Sequence, residues 1–335
     1  MAQENSRKYY IDFLKCVGLS GILLAHAQPP FLINFIRDFD VPLMVLLSAI
    51  LSEYSYGRIS NSPQAAKKYI LSRFKRLVFP TWIFLCFFFA FNWLVRHRVY
   101  EIQYYIDTFA LTRYGMGYVW IILVYVYCGL LTPLFHETKW SLKYCLIAAL
   151  LYLIYEIAYC YQVGTDSRLL MSTFYYIVPY GTLAFFGYHF NRIRTKTKLI
   201  TLVASFLAFS VCMIYYWISQ GAFQSVQIAK YPPRIYFLSY GIMCSVALLL
   251  FFEKHSFKWF SHPVIRFIST HSMWIYLWHI FWLTVYNMLH LPGDAWMLKF
   301  VFAYICSVVT VMIVNKCLDC LERKIRLPVL KYLRG

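Results

Sequence analysis

Acidic residues are scarce in this sequence: Asp and Glu together number 14, against 32 Lys and Arg, in a chain of 335 residues. Charged residues of both signs make up only 14%, whereas a soluble globular protein carries roughly a quarter. Hydrophobic residues make up 61% and aromatic residues 21%. This composition excludes an ordinary soluble protein and predicts an integral membrane protein.

Several common catalytic motifs are also missing from the sequence. There is no H-E-x-x-H zinc motif, no Walker loop, no G-x-G-x-x-G and no G-x-S-x-G. Their absence argues against the common soluble chemistries and against an ATP-driven pump, and we expect no metal site. No internal repeat or low-complexity segment stands out.

Ten apolar runs are long enough to cross a bilayer. They lie near residues 9–27, 39–54, 77–95, 118–135, 142–161, 173–190, 199–218, 236–252, 271–289 and 298–317. Short connections between the runs leave no room for a separate soluble domain. We predict an all-α fold, a polytopic membrane helix bundle of about ten transmembrane helices that forms one domain over residues 1–335.

Lys and Arg are distributed unevenly between alternate connections of these runs. The smaller set contains only Arg37, Arg96, Arg98, Arg113, Arg168, Lys230, Arg234 and Lys299. Because cytoplasmic loops carry an excess of Lys and Arg, the asymmetry predicts an even number of spans with both termini in the cytoplasm. The same distribution accounts for the net charge of +18 without a nucleic-acid partner.

Three polar residues lie along one side of the first run. Asp12, Lys15 and His26 fall within a sector of about 60° on a helix, and about 21 Å separates Asp12 from His26. Asp12 and Lys15 could simply pair with each other, whereas His26 could act as a general base near neutral pH. Ala25-His26-Ala27 also fits a signal-peptidase site, but an acid and a base on one face argue against removal of this segment.

Arg73 and Arg76 share a helical face in RFKRLVFP, residues 73–80, where the third run begins. Two guanidinium groups at a cytoplasmic membrane mouth could hold phosphates bidentately. From these residues alone, ordinary positive-inside residues or contacts with lipid headgroups are the favoured interpretation.

Three further residues are weaker candidates. Glu156 lies inside the fifth run, where it needs a partner or water, so a functional and an interhelical role are both open. His279 shares a helical face with Tyr276 in SMWIYLWH, residues 272–279.

In their order along the chain, these motifs resemble integral-membrane acyltransferase family three, the O-acyltransferases of cell-surface glycans. The resemblance runs from about residue 7 to residue 325 and rests on the D-x-L-K of residues 12–15 followed by His26, and on VPLMVLLSAIL (41–51), RFKRLVFP (73–80), YVWIILVYVYCGLLTPLF (118–135), KYPPRIYFLSYG (230–241) and IYLWH (275–279). One departure is Lys15, which stands where the family commonly has arginine. A point charge there replaces a bidentate anion contact.

The resemblance implies transfer of an acyl group, usually acetyl from cytoplasmic acetyl-CoA, to a hydroxyl of a cell-surface or lipid-linked polysaccharide of the O-antigen, capsule or exopolysaccharide type. Arg73 and Arg76, assisted by Lys15, would bind the CoA phosphates, and Asp12 would orient Lys15 or an arginine. His26 would deprotonate the acceptor hydroxyl or briefly carry the acyl group. The implied location is the bacterial cytoplasmic membrane. Some relatives carry an extra extracytoplasmic domain, which we do not expect here because fewer than twenty residues follow the last run.

Two other functions fit the residues alone. A transporter or flippase of a lipid-linked glycan would also place a polar stripe inside a helix bundle. A catalytically silent membrane scaffold or sensor would tolerate substitution of His26 and Arg73 without a change in surface chemistry.

Overall fold

The computed structural model describes residues 8–255, 257–293, 295–324 and 333. Their regular elements are helical, and no β-strand occurs among them. The helices are α1 (Tyr9–His26), α2 (Phe31–Ile36), α3 (Asp40–Gly57), α4 (Ala65–Arg96), α5 (Ile102–Phe109), α6 (Trp120–Glu137), α7 (Leu142–Cys160), α8 (Arg168–Ser172), α9 (Phe174–His189), α10 (Thr195–Gln220), α11 (Ile235–Lys254), α12 (Pro263–Thr270), α13 (Ser272–Met288) and α14 (Trp296–Lys324). The all-α prediction is confirmed.

Each of the ten apolar runs corresponds to one of the long helices, although the ends differ. The largest difference is at α4, which begins at Ala65 rather than near residue 77. Residues 65–76 are polar but contain good helix formers, so the helix extends beyond its apolar part. Arg73 and Arg76 therefore lie on the same continuous helix as the third apolar run.

Among the described residues, seven helical segments are long and apolar enough to cross a membrane: α4, α6, α7, α8 with α9, α10, α11 and α14. The protein is thus a multi-pass membrane protein by length and composition. The remaining long helices, α1, α3 and α13, contain 18, 18 and 17 residues and carry acidic, basic or histidine side chains inside the bundle. The count of ten spans and the cytoplasmic position of both termini stay predictions.

α3 lies at the centre of the bundle and packs against α1, α6, α9 and α11. Glycines let the neighbouring backbones approach it closely, as is common between membrane helices. Gly187 of α9 packs on Leu46 and Ala49 of α3, and Gly241 of α11 packs on the ring of Pro42. This close packing holds the helices that carry the candidate site in fixed positions.

α7 and α10 lie at the periphery. In their most apolar stretches, only 6% of α7 and 11% of α10 is buried. Leu146, Leu150 and Val211 are among the large apolar side chains that these helices expose. A continuous exposed apolar surface is expected where a helix faces lipid, so these two helices separate the inner bundle from the bilayer.

Candidate active site

The last residue of α1 and the middle of α13 bring two histidines together. α1 ends at His26 because Pro29 and Pro30 follow and cannot continue the helix. His26 Nδ1 lies 2.7 Å from Nε2 of His279, whose side chain is completely buried. His279 Nδ1 is hydrogen-bonded in turn to the backbone carbonyl of Tyr276.

This arrangement fixes the proton positions of a neutral histidine pair. The Tyr276 carbonyl can only accept, so His279 Nδ1 carries a hydrogen and His279 Nε2 is an acceptor. His26 Nδ1 must then donate to His279, which leaves the lone pair on His26 Nε2 available. A base held in one tautomer by a second group has the geometry of an oriented general base.

Aromatic rings hold the His26 imidazole in place. The ring of Tyr118 meets it edge-on at a centroid distance of 4.7 Å. The Tyr276 hydroxyl donates to the backbone carbonyl of Tyr118, which ties α13 to the segment before α6. The His26 ring is therefore limited in rotation as well as in tautomer.

A cavity of about 500 Å³ is lined by the predicted donor residues and by Tyr276. This volume lies within the range of small-molecule sites, about 300–1,000 Å³. Lys15, Arg73 and Arg76 line it together with Tyr125 and Tyr276. Because Tyr276 also holds His279, a single residue connects the cavity to the histidine pair.

Two arginines, Arg73 and Arg76, line the cavity. Arg73 Nε donates to the Tyr69 hydroxyl over 2.8 Å, and its side chain packs on Gly129 of α6. Within the described ranges, neither Arg73 nor Arg76 forms an ion pair with a carboxylate. Their charges are available to bind phosphate groups.

Asp12 and Lys15 meet at Ser269, the penultimate residue of α12. Ser269 Oγ donates to Asp12 Oδ1, and Lys15 Nζ donates to the Ser269 backbone carbonyl. Asp12 is 8% exposed and lies about 21 Å from His26 along α1. The structure thus places Asp12 and Lys15 together at Ser269, far from His26.

Comparison with known proteins identifies the family of the chain. A family model described as an acyltransferase domain, that of acyltransferase family three, matches residues 8–316 and so covers nearly the whole chain. The chain belongs to acyltransferase family three. No curated protein and no solved structure matches it. The resemblance inferred from the motifs is confirmed, and the protein is an acyltransferase.

Glu156 of the acyltransferase lies in a network between α7 and α11. Its carboxylate accepts from Tyr152 Oη at 2.9 Å, from Arg234 Nε at 2.9 Å and from the backbone N–H of Ile235 at 2.7 Å. The last contact caps the first turn of α11. These contacts account for the partial burial of Glu156, and none of them involves the histidine pair.

Sequence reasoning missed a group of buried charges near His26 in the acyltransferase. Arg37, Asp38, Asp40 and Lys230 are 7%, 0%, 1% and 5% exposed. Arg37 forms ion pairs with Asp38 at 2.9 Å and with Asp40 at 2.7 Å. The sequence feature that could have indicated these buried charges is the pair of acids in RDFD, residues 37–40, because acids are rare elsewhere in the chain.

Burial changes the proton affinity of two of these groups, which lie between the long helices. It raises the pKa of Asp38 to about 6, against the opposing effect of Arg37. It lowers the pKa of Lys230, although the negative charge of Asp40 partly opposes this. Both shifts have the sign expected for a charge that is removed from water.

Proposed function

We propose that the acyltransferase transfers an acetyl group from cytoplasmic acetyl-CoA to a hydroxyl of a cell-surface or lipid-linked polysaccharide of the O-antigen, capsule or exopolysaccharide type. The observation that supports this proposal most strongly is the cavity lined by Lys15, Arg73, Arg76 and Tyr276. It offers an anion-binding region, and Tyr276 connects it to His279, the partner of His26.

Each part of the cavity has a separate task in this proposal. Arg73 and Arg76 bind the phosphates of coenzyme A, and Lys15 assists as a point charge held by Ser269. The pantetheine arm extends past Tyr125 toward Tyr276, so that the thioester comes to lie near His26. Asp12 positions Lys15 through the shared Ser269 contact.

The chemical step uses the free nitrogen of His26. His26 Nε2 takes the proton of the acceptor hydroxyl while that oxygen forms a bond to the thioester carbonyl carbon. The carbonyl electron pair moves to its oxygen. When this pair returns, the carbon–sulfur bond breaks, and the thiolate of coenzyme A takes the proton from His26. His279 holds His26 in the tautomer that this step needs.

Titration of the purified protein in detergent with acetyl-CoA tests the donor site. We expect saturable binding that weakens at least about tenfold in Arg73→Ala and in Arg76→Ala, because each loses a charge-assisted phosphate contact. Lys67→Ala is the matched control, since Lys67 is exposed on the same helix and lies outside the cavity lining. Absence of saturable binding, or equal binding by all variants, would refute the donor assignment.

Substitution of His26 tests the chemical step separately. In His26→Ala we expect unchanged acetyl-CoA binding and membrane insertion but a loss of about 10²–10⁴-fold in glycan acetylation, the range for general acid–base catalysis. A flippase would instead lose the surface glycan itself. Retention of acetylation would show that His26 is not the base.

A further inference from the structure

Lys230 is a buried ammonium group whose contacts within the described residues are with aromatic rings. Its residue is 5% exposed, and no hydrogen bond or ion pair of its Nζ occurs in the described part of the chain. The rings of Tyr231 and Phe237 lie 5.6 Å from Nζ. Lys198 shows the usual arrangement for comparison: it is also 5% exposed, and it forms an ion pair with Glu253 at 3.2 Å. A buried unpaired charge is costly, so Lys230 needs an explanation.

Lys299, in the first turn of α14, is a second group of the same kind. It is 8% exposed, and its Nζ likewise has no ion pair or hydrogen bond to a described residue. Contacts with α1 place both lysines near it. Lys299 lies five residues before Tyr304, whose hydroxyl is 3.3 Å from that of Ser20 on α1. Gln227, three residues before Lys230, donates to Asp38 in the segment that packs on Gly21 of α1. Their positions in the sequence also place both on the predicted outer side, where the acceptor arrives.

The nearby acids are already occupied by other partners. Asp40 accepts from Arg37 at 2.7 Å and from the backbone N–H of Val41 at 2.6 Å. Asp38 pairs with Arg37 and accepts from the side chain of Gln227. Within the described residues, these carboxylates form no hydrogen bond or ion pair with Lys230. An incoming anion would therefore meet the ammonium groups of Lys230 and Lys299 near His26.

We propose that Lys230 and Lys299 form an acceptor subsite for the anionic group of an acidic sugar, a carboxylate or a phosphate. This inference rests on the proposed acyl transfer and specifies its acceptor class. The two ammonium groups bind the anion, and the sugar ring spans from there to His26, so that a hydroxyl of the same or the adjoining sugar reaches Nε2. The acidic group itself takes no part in bond formation.

The test compares sugars that differ only in charge. Binding of methyl glucuronide, methyl glucoside 6-phosphate and neutral methyl glucoside to the purified protein is measured by ligand-observed NMR. We expect at least one acidic sugar to bind at least tenfold more tightly than the neutral one. Lys230→Met and Lys299→Met should each remove this preference, whereas Lys198→Met, an equally buried lysine, should keep it.

Three outcomes would overturn the subsite: no preference for either acidic sugar in the unmodified protein, an equal loss in Lys198→Met, or unchanged binding in Lys230→Met and Lys299→Met. If those two variants instead slow acetylation of charged and neutral acceptors alike while binding of the acidic sugar persists, the lysines act on the reacting carbonyl and the subsite is refuted.

A double variant, Arg73→Ala with Arg76→Ala, separates this inference from the proposed function. It should lose acetyl-CoA binding and keep the preference for acidic sugars. Loss of that preference in the double variant would mean that the sugars bind in the donor cavity, which contradicts the subsite. Failure of acetyl-CoA to bind the unmodified protein concerns the donor assignment alone.

Discussion

At the scale of single residues, the notable feature is that a neutral histidine is oriented by another histidine. In a water-poor interior, a carboxylate partner would add a negative charge that itself requires compensation. His279 avoids this, because its second nitrogen is satisfied by the Tyr276 carbonyl within its own helix. The pair therefore fixes the tautomer of His26 without adding a buried charge.

Replacement of His279 tests this arrangement. In His279→Leu, His26 loses the acceptor of its Nδ1–H hydrogen bond. We expect kcat to fall about 10- to 100-fold, which is less than the fall expected when His26 itself is replaced. In His279→Gln, the amide can accept from His26 and donate to the Tyr276 carbonyl, so most of the activity should return. Acetyl-CoA affinity should remain unchanged in both. Equal loss in the two variants would indicate a packing role.

Asp38 predicts a pH-dependent stability. Its pKa of about 6 is higher than that of an unfolded Asp, about 3.9, so protonation favours the folded state and this contribution is lost as the pH rises through 6. The charged groups that act on it are Arg37, Asp40 and Lys230. Between pH 7 and pH 5, the unmodified protein should therefore gain thermal stability relative to Asp38→Asn. Parallel unfolding midpoints of the two proteins across this range would contradict the prediction.

At the scale of helices, the central position of α3 depends on close backbone contacts. An added methyl group at Gly241 would overlap the ring of Pro42, which cannot move aside as a flexible side chain would. We expect Gly241→Ala to destabilise the protein by about 1–3 kcal/mol through overpacking, as measured by thermal unfolding in detergent. Gly57→Ala is the control at the end of α3, where no atom lies within 4 Å, and it should be neutral or slightly stabilising. Equal thermal unfolding midpoints for Gly241→Ala and Gly57→Ala would argue against the tight contact between α3 and α11.

The helices themselves could be predicted because each apolar run is long and bounded by charged residues. The stripe on α1 also placed His26 and Lys15 on an inward face, as their contacts with α13 and α12 bear out. The N-terminal extension of α4 was missed because its polar residues give no apolar signal. Short helices such as α2 and α12 were missed because they are too short to show a clear period.

The pairing of His26 with His279 could not be predicted, since 253 residues separate them and only tertiary packing joins their helices. For the same reason, the sequence indicated Lys230 only as a charged residue in a connection and did not predict its burial. Its burial depends on how the segment before α11 folds over the cluster at residues 37–40. Contacts between distant helices have no periodic signature in a single sequence.

At the scale of the whole molecule, the charge distribution predicts which end of the bundle meets which substrate. Single cysteines introduced into a cysteine-free background test this orientation. We expect an impermeant maleimide to label Ala222→Cys in intact spheroplasts and to leave Asn61→Cys unlabelled, because these exposed residues fall on opposite predicted sides. Lysed spheroplasts are the control and should label at both positions. The reverse pattern would exchange the donor and acceptor sides.

The contacts of α1 also have a consequence for biosynthesis. His26 contacts His279, while Asp12 and Lys15 both contact Ser269, so the contacts of α1 depend on segments translated more than 250 residues later. Until α12 and α13 have been translated and inserted, the imidazole of His26 has no orienting partner. A chain that stops before Ser269 therefore lacks the contacts that hold His26 and Lys15, and under the proposed mechanism we expect it to be inactive until α12 and α13 are in place.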